Sequence, residues 1–319
     1  MMGTGPFAVP MFVSLVESPH EIAGLITRPT PPAKGREKSP SNPMRDAAIA
    51  HGVPVHAPTT INNDDGKQLL ASLAPDLLVV CDYGQILSPE ILAISPLGGI
   101  NLHASLLPRY RGAAPIQWAI FQGETETGVS VIHMTPRLDA GPILTVRKTP
   151  IEPVETHPEL EQRLASLGIE AVAEAIAMLT NWDRTSDVGT RQDSVLASKA
   201  PRLKKEQGAI DWSRSAGRIL DQVRAFKPWP GSYTYWRRSD DEPMRLVVDQ
   251  VQITANTSQT TTKSEPGTVL FSDGKQLLIA TGDQPLSLTS VQPAGKRVMP
   301  VGDFLRGYAV REGDRFGSE

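Results

Sequence analysis

Apolar residues recur along the first half of the chain in two alternating rhythms. FAVPMFVSLVE (7–17) spaces them as a helix does, with Pro10 in the first turn, where a missing N–H costs nothing. IAGLIT (22–27) is a short apolar run with strand character. Helical spacing follows near 44–51 and over 65–74, and a short strand over 53–56. DLLVVC (76–81) is continuously apolar, as expected of a strand covered on both faces of a parallel sheet. GGINLH (98–103) and GVSVIHM (128–134) are two more strands, with a helix near 114–122 between them. A longer helix follows Thr156, its expected N-cap, with Glu159 in the capping-box position.

After a polar stretch and a helix near 213–225, the rhythm changes. Ser232–Trp236, Met244–Ile253, Gly267–Phe271, Gln276–Ala280 and Leu286–Val291 are β-prone runs separated by turn residues. The expected fold class is therefore α/β, an open Rossmann-like parallel sheet followed by a small C-terminal OB-like β-barrel. The expected division is 1–182 for the α/β domain, 183–208 for a linker and 209–319 for the barrel.

Composition narrows the class. Of 319 residues, 39% are hydrophobic and 21% charged. Uninterrupted apolar runs are too short to span a bilayer, and the N-terminus lacks the pattern of a secretory or transit peptide, so a cytoplasmic location without membrane attachment is expected. Cys81 is the single cysteine, which excludes an internal disulfide and a cysteine-rich zinc site. The six histidines are scattered, so no metal is expected. Gly3-Thr4-Gly5 is followed by proline and no third glycine, a poor match to a dinucleotide loop. Net charge is −3, but residues 202–319 carry 17 Lys and Arg against 14 Asp and Glu, a local +3. Solvated surface explains such a balance unless local patches meet a polyanion. The proline-rich stretch around Lys34, Arg36 and Lys38 is either a plain connector or a basic arm for an anionic substrate.

The narrowest chemical signal lies at predicted strand ends. Asn101 and His103 are two apart, so they point to one face where ligands of open α/β sheets bind. Asp139 stands in LDAGP at the end of another strand. An amide donor, an imidazole and a carboxylate suit acyl transfer: one group for the oxyanion, one to carry protons and one to orient it. Singly, each has a plainer reading as a turn residue or a core histidine. Ser105 lacks the Gly-x-Ser-x-Gly elbow of a nucleophile.

These residues sit in longer motifs. GTGPFAVP, DYGQIL, NLHASLLPRYRGAAPIQWAI, ETGVSVIHMTPRLDAGPIL, APRLKKEQGAIDW and RAFKPWPGSYT together resemble the methionyl-tRNA formyltransferases, within the folate-dependent formyltransferases. The likeness runs from residue 3 to about 307. It implies formyl transfer from 10-formyltetrahydrofolate to the amino group of methionyl initiator tRNA, without a metal. It implies that Asn101 holds the formyl oxygen, a contact worth roughly 3 kcal/mol of barrier. His103 would assist proton movement, and Asp139 would orient it and accept the amine proton through water. Ser105, Leu106, Leu107 and Pro108 would contact the folate. Asp82, Tyr83, Gly84, Ile86 and Leu87 would wall the pterin. Lys34, Arg36 and Lys38 would meet the tRNA acceptor end, with Lys204, Lys205, Lys296 and Arg297 as a second tRNA surface on a monomer.

Two other readings fit part of this pattern. A formyltransferase acting on an amino-sugar nucleotide would keep the trio and SLLP. A non-catalytic tRNA-binding module would use only the barrel. One departure is expected to matter: the family opens with a full strand before the GT-x-x-FAVP turn, whereas only Met1 and Met2 precede Gly3 here. The central strand should thus be essentially absent, and the true start is expected upstream.

Overall fold

The computed structural model describes residues 1–31, 40–237, 242–254 and 264–318. It divides into two compact units, Met1–Ile116 with Glu126–Pro150 and Glu159–Pro201, and Gln117–Thr125 with Ile151–Pro158 and Arg202–Glu319. Lys34, Arg36 and Lys38 lie outside the described residues. Among the described residues, no helix is long and apolar enough to cross a membrane.

The chain opens with β1 (Met2–Gly3), α1 (Val9–Val16) and β2 (Leu25–Ile26), then α2 (Pro43–Ala50), β3 (Val55–His56) and α3 (Asp64–Leu73). Asn42 and Asn63 cap α2 and α3, their side chains accepting from Arg45 N and Gly66 N at 3.0 and 2.9 Å. Next come β4 (Leu78–Cys81), α4 (Pro89–Leu92), β5 (Gly99–His103), β6 (Arg111–Gly112) and α5 (Pro115–Phe121). β7 (Glu126–His133), β8 (Ile143–Pro150), α6 (His157–Thr180) and β9 (Lys199–Ala200) follow.

Seven of these strands form one sheet in the order β3-β2-β1-β4-β5-β7-β8. The first five are parallel, and every residue of β4 is buried, as its apolar run predicts. β7 and β8 are antiparallel additions. β8 is not foreseen by hydrophobic pattern because ILTVRKTP carries Arg147 and Lys148, acceptable on an edge strand.

The expectation of an absent central strand is corrected. Met2 pairs with Ile26 on one side and Val80 on the other, and Gly3 pairs with Cys81. The sheet is continuous through a two-residue stub, whose backbone is extended by Ile26 N–H donating to Met1 O at 2.8 Å. Below the stub a cavity of about 500 Å³ opens between the strands, lined by Met1, Met2, Gly24, Ile26, Leu78 and Val79 among others.

In the second unit come α7 (Ala216–Ala225), β10 (Ser232–Arg237), β11 (Met244–Ile253), β12 (Val269–Ser272) and β13 (Leu277–Ile279). The chain ends with β14 (Leu286–Pro293), β15 (Met299–Pro300), α8 (Val301–Gly307) and β16 (Arg315–Gly317). The antiparallel order is β12-β13-β14-β11-β10-β16, with β15 beside β14. Bonds from Val269 N to Asp314 O (2.9 Å) and Phe316 N to Gly267 O (2.7 Å) bring the two ends of this sheet together, giving the OB-like barrel. Gly267 permits that seam: its φ is +87°, and a Cβ there would lie 2.1 Å from Phe316 O. Inside lie Trp212, Ile219, Trp236, Leu246, Leu288 and Phe304.

Candidate active site

Both Asn101 and His103 stand on β5, which pairs with β4 and β7. The strand's alternation aims the two side chains to the same face. Asn101 is half-buried and, among the described residues, its carboxamide has no hydrogen-bond partner, so its N–H groups are available to a ligand. His103 is buried. Its Nε2 lies 2.9 Å from the carbonyl oxygen of Tyr110. A carbonyl only accepts, so Nε2 carries a proton, and Nδ1 is the nitrogen that faces Asp139.

Asp139 Oδ2 is 3.7 Å from His103 Nδ1, too long for a direct hydrogen bond. The same oxygen accepts from Gly112 N at 2.8 Å. The pair is thus brought together as the sequence expects, but the imidazole is oriented by Tyr110 and the carboxylate by Gly112. Gly112 is at φ +127°, and a Cβ there would meet Ala200 O at 2.5 Å. Only glycine lets β6 run this close to β9, which it pairs in parallel, and so place its N–H against Asp139. Ser198 supports the same turn, its Oγ accepting from Tyr110 N at 2.9 Å.

The loop after β5 is pinned by Ser130 of β7. Its hydroxyl accepts from Leu107 N at 3.1 Å and donates to Ser105 O at 2.7 Å. Ser105 is fully buried and donates to Arg109 O at 2.7 Å, so its hydroxyl closes the turn. Leu107 is buried too, while Leu106 and Pro108 are both half-buried.

The segment 82–87 is anchored to the loop before α3. Gln85 Oε1 accepts from Ile61 N at 3.2 Å, and Asn62 Nδ2 donates to Ile86 O at 2.9 Å. Ile86 is exposed, whereas Leu87 and Tyr83 belong to the core. Burial pushes the Tyr83 phenol up to about 12. Gly84, at φ +75°, lies against the Arg28 guanidinium. Asp82 turns its carboxylate onto Gly5, where a Cβ would fall 1.8 Å from Oδ2. Burial, then the carboxylates of Asp82 and Glu161, push the Cys81 thiol up, which makes it a poor nucleophile.

Gln192, Arg111 and Ser130 are polar groups at this site that motif reading does not single out. Gln192 lies in the stretch expected as a linker, yet its side chain meets Asp139 O and Gly141 O at 2.8 and 2.7 Å. Lys204, Lys205, Lys296 and Arg297 are all exposed in the second unit. Among the described residues, no group of three or more His, Cys, Asp and Glu side chains is arranged to hold a metal ion.

Comparison with known proteins finds likeness along both units. The family described as "Formyl transferase" matches residues 1–176, and "Formyl transferase, C-terminal domain" matches residues 202–309. The methionyl-tRNA formyltransferase of Rhodopirellula baltica is 45% identical over 99% of this chain and 95% of its own. That of Nitrosococcus oceani is 39% identical over 98% and 93%. Among solved structures, an N-formyltransferase from Helicobacter canadensis, in complex with folinic acid and dTDP-3-aminofucose, superposes with a TM-score of 0.62. It is 16% identical and covers 92% of this chain and 97% of that one, a likeness of fold. HypX from Aquifex aeolicus, in complex with tetrahydrofolic acid, gives 0.55 at 19% identity over 81% of this chain and 43% of that one.

Proposed function

The chain belongs to the methionyl-tRNA formyltransferase family, and from that premise we propose how its residues carry out the reaction. It is an enzyme that formylates the free amino group of methionyl initiator tRNA, with a formyl-tetrahydrofolate as donor. The donor proposed here is 10-formyltetrahydrofolate. The observation that carries the reading is the pairing of His103 with Asp139 beside an unengaged Asn101, within a likeness that spans both units.

In this account the α-amino nitrogen attacks the formyl carbon, forming a C–N bond, and the carbon's bond to the folate nitrogen then breaks. Asn101 donates to the oxygen as it gains charge. His103 Nδ1 exchanges protons, since its Nε2 is committed to Tyr110. Asp139 takes the proton lost by the amine through water, and His103 relays it onward as a transient imidazolium that the restored carboxylate stabilises. That proton leaves with the folate nitrogen, so charge balances over the cycle. No covalent enzyme intermediate is required, because both reactants are held in attack geometry.

Ser105–Pro108 and the backbone of 82–87 are assigned to the folate. Lys204, Lys205, Lys296 and Arg297, with Lys34, Arg36 and Lys38, are assigned to tRNA phosphates. Solved sugar N-formyltransferases share the fold at low identity, which gives no preference for a sugar amine. Supplying the purified protein with the formyl donor and charged initiator tRNA, and assaying for formyl-methionine, tests the proposal.

A further inference from the structure

The loop bearing Asp139 is gripped by one side chain. Gln192 donates both N–H bonds of its carboxamide, to Asp139 O at 2.8 Å and Gly141 O at 2.7 Å. Its oxygen accepts from Arg111 Nε at 3.2 Å and Nη2 at 2.7 Å. Carbonyls only accept and a guanidinium only donates, so the four contacts fix which way the amide faces. Asp139 itself has φ +48°, in the left-handed region that non-glycine residues adopt uncommonly and Asp and Asn most readily. Arg111 and Gly112 are neighbours: the first orients the Gln192 amide, and the second gives its N–H to Asp139 Oδ2. Gln192 therefore ties residues 111–112 to residues 139–141 around the carboxylate.

We propose that Gln192 is a positioning residue for formyl transfer. By pinning the backbone on both sides of Ala140 it sets the separation of Asp139 Oδ2 from His103 Nδ1, without touching a substrate. The inference rests on the formyl-transfer reading above.

Two variants test it. Gln192→Ala removes the clamp. Gln192→Glu keeps the length and the Arg111 contact but sets a carboxylate oxygen against two carbonyls. Each should lower kcat by roughly 10- to 100-fold, the scale of a misplaced catalytic group, with KM for both substrates within about 2-fold. The pH dependence of kcat should take the shape it has in Asp139→Asn. Adding Gln192→Ala to Asp139→Asn should cost little more than Asp139→Asn alone, because both act through one carboxylate. Wild-type kcat, an effect confined to KM, or costs that multiply in the double variant would overturn the proposal. So would loss of the thermal unfolding transition in both single variants, which would make the role structural. A wild-type protein inactive in formyl transfer would instead sink the functional reading beneath it.

Discussion

His103 turns Nε2 to the carbonyl oxygen of Tyr110, 2.9 Å away, and so meets Asp139 through Nδ1. Replacing Asp139 with Asn should therefore remove the charge that the imidazolium faces while leaving an amide oxygen to accept from Gly112 N. We expect kcat to fall about 100-fold or more, with the melting temperature nearly unchanged. Steady-state kinetics with thermal denaturation checks this; a loss of stability matching the loss of rate would contradict it.

Asn101 is the simplest test of oxyanion stabilisation. Its carboxamide is without a hydrogen-bond partner among the described residues, so Asn101→Ala should cost little stability. Turnover should drop about 100-fold, the usual effect of losing one oxyanion donor. An unchanged kcat would remove Asn101 from the mechanism.

Gly112 links fold to chemistry. Alanine there would place Cβ 2.5 Å from Ala200 O at a φ of +127°. Gly112→Ala should destabilise the protein by about 1–3 kcal/mol and lower kcat, because the same residue's N–H holds Asp139. Urea denaturation reads the first effect. A variant as stable as wild type would show that β6 and β9 separate freely.

Burial, and then Asp82, hold the Glu161 carboxyl above its ordinary 4.5. An acid raised in this way keeps its proton more tightly when folded than when unfolded. Its ionisation thus costs stability as pH rises from 4.5 through the folded value, and the full cost persists above it. Glu161→Gln should raise the melting temperature near neutral pH and change it little at about pH 4, where both forms are uncharged. An equal gain at both pH values would contradict the electrostatic origin.

The basic residues should act on one substrate. Lys204→Ala, Lys205→Ala and Arg36→Ala are each expected to raise KM for tRNA and leave KM for the folate donor unchanged. Each lost phosphate contact should reduce the salt slope by about 1. Titration with NaCl measures it, and an unchanged slope would exclude that side chain from the RNA surface.

These predictions divide by what the sequence reveals. β4 and β5 are legible because buried parallel strands need continuous apolar runs. The trio is legible because its chemistry lies in side chains at strand ends. β8 is hidden by Arg147 and Lys148 on an edge, and β1 by being two residues long. Tyr110 and Gly112 act through a backbone carbonyl and N–H, which a motif of side chains does not announce. Gln192 reaches carbonyls 53 and 51 positions away from inside a polar, irregular stretch, a relationship visible only after folding.

The most direct measurement is the fate of a labelled formyl group when wild-type and Asn101→Ala proteins meet 10-formyltetrahydrofolate and methionyl initiator tRNA in parallel. The account predicts N-formylmethionyl-tRNA from the wild type and a rate about 100-fold lower from the variant. Folded wild-type protein that leaves the methionyl amine unformylated, or equal rates from the two proteins, would contradict it.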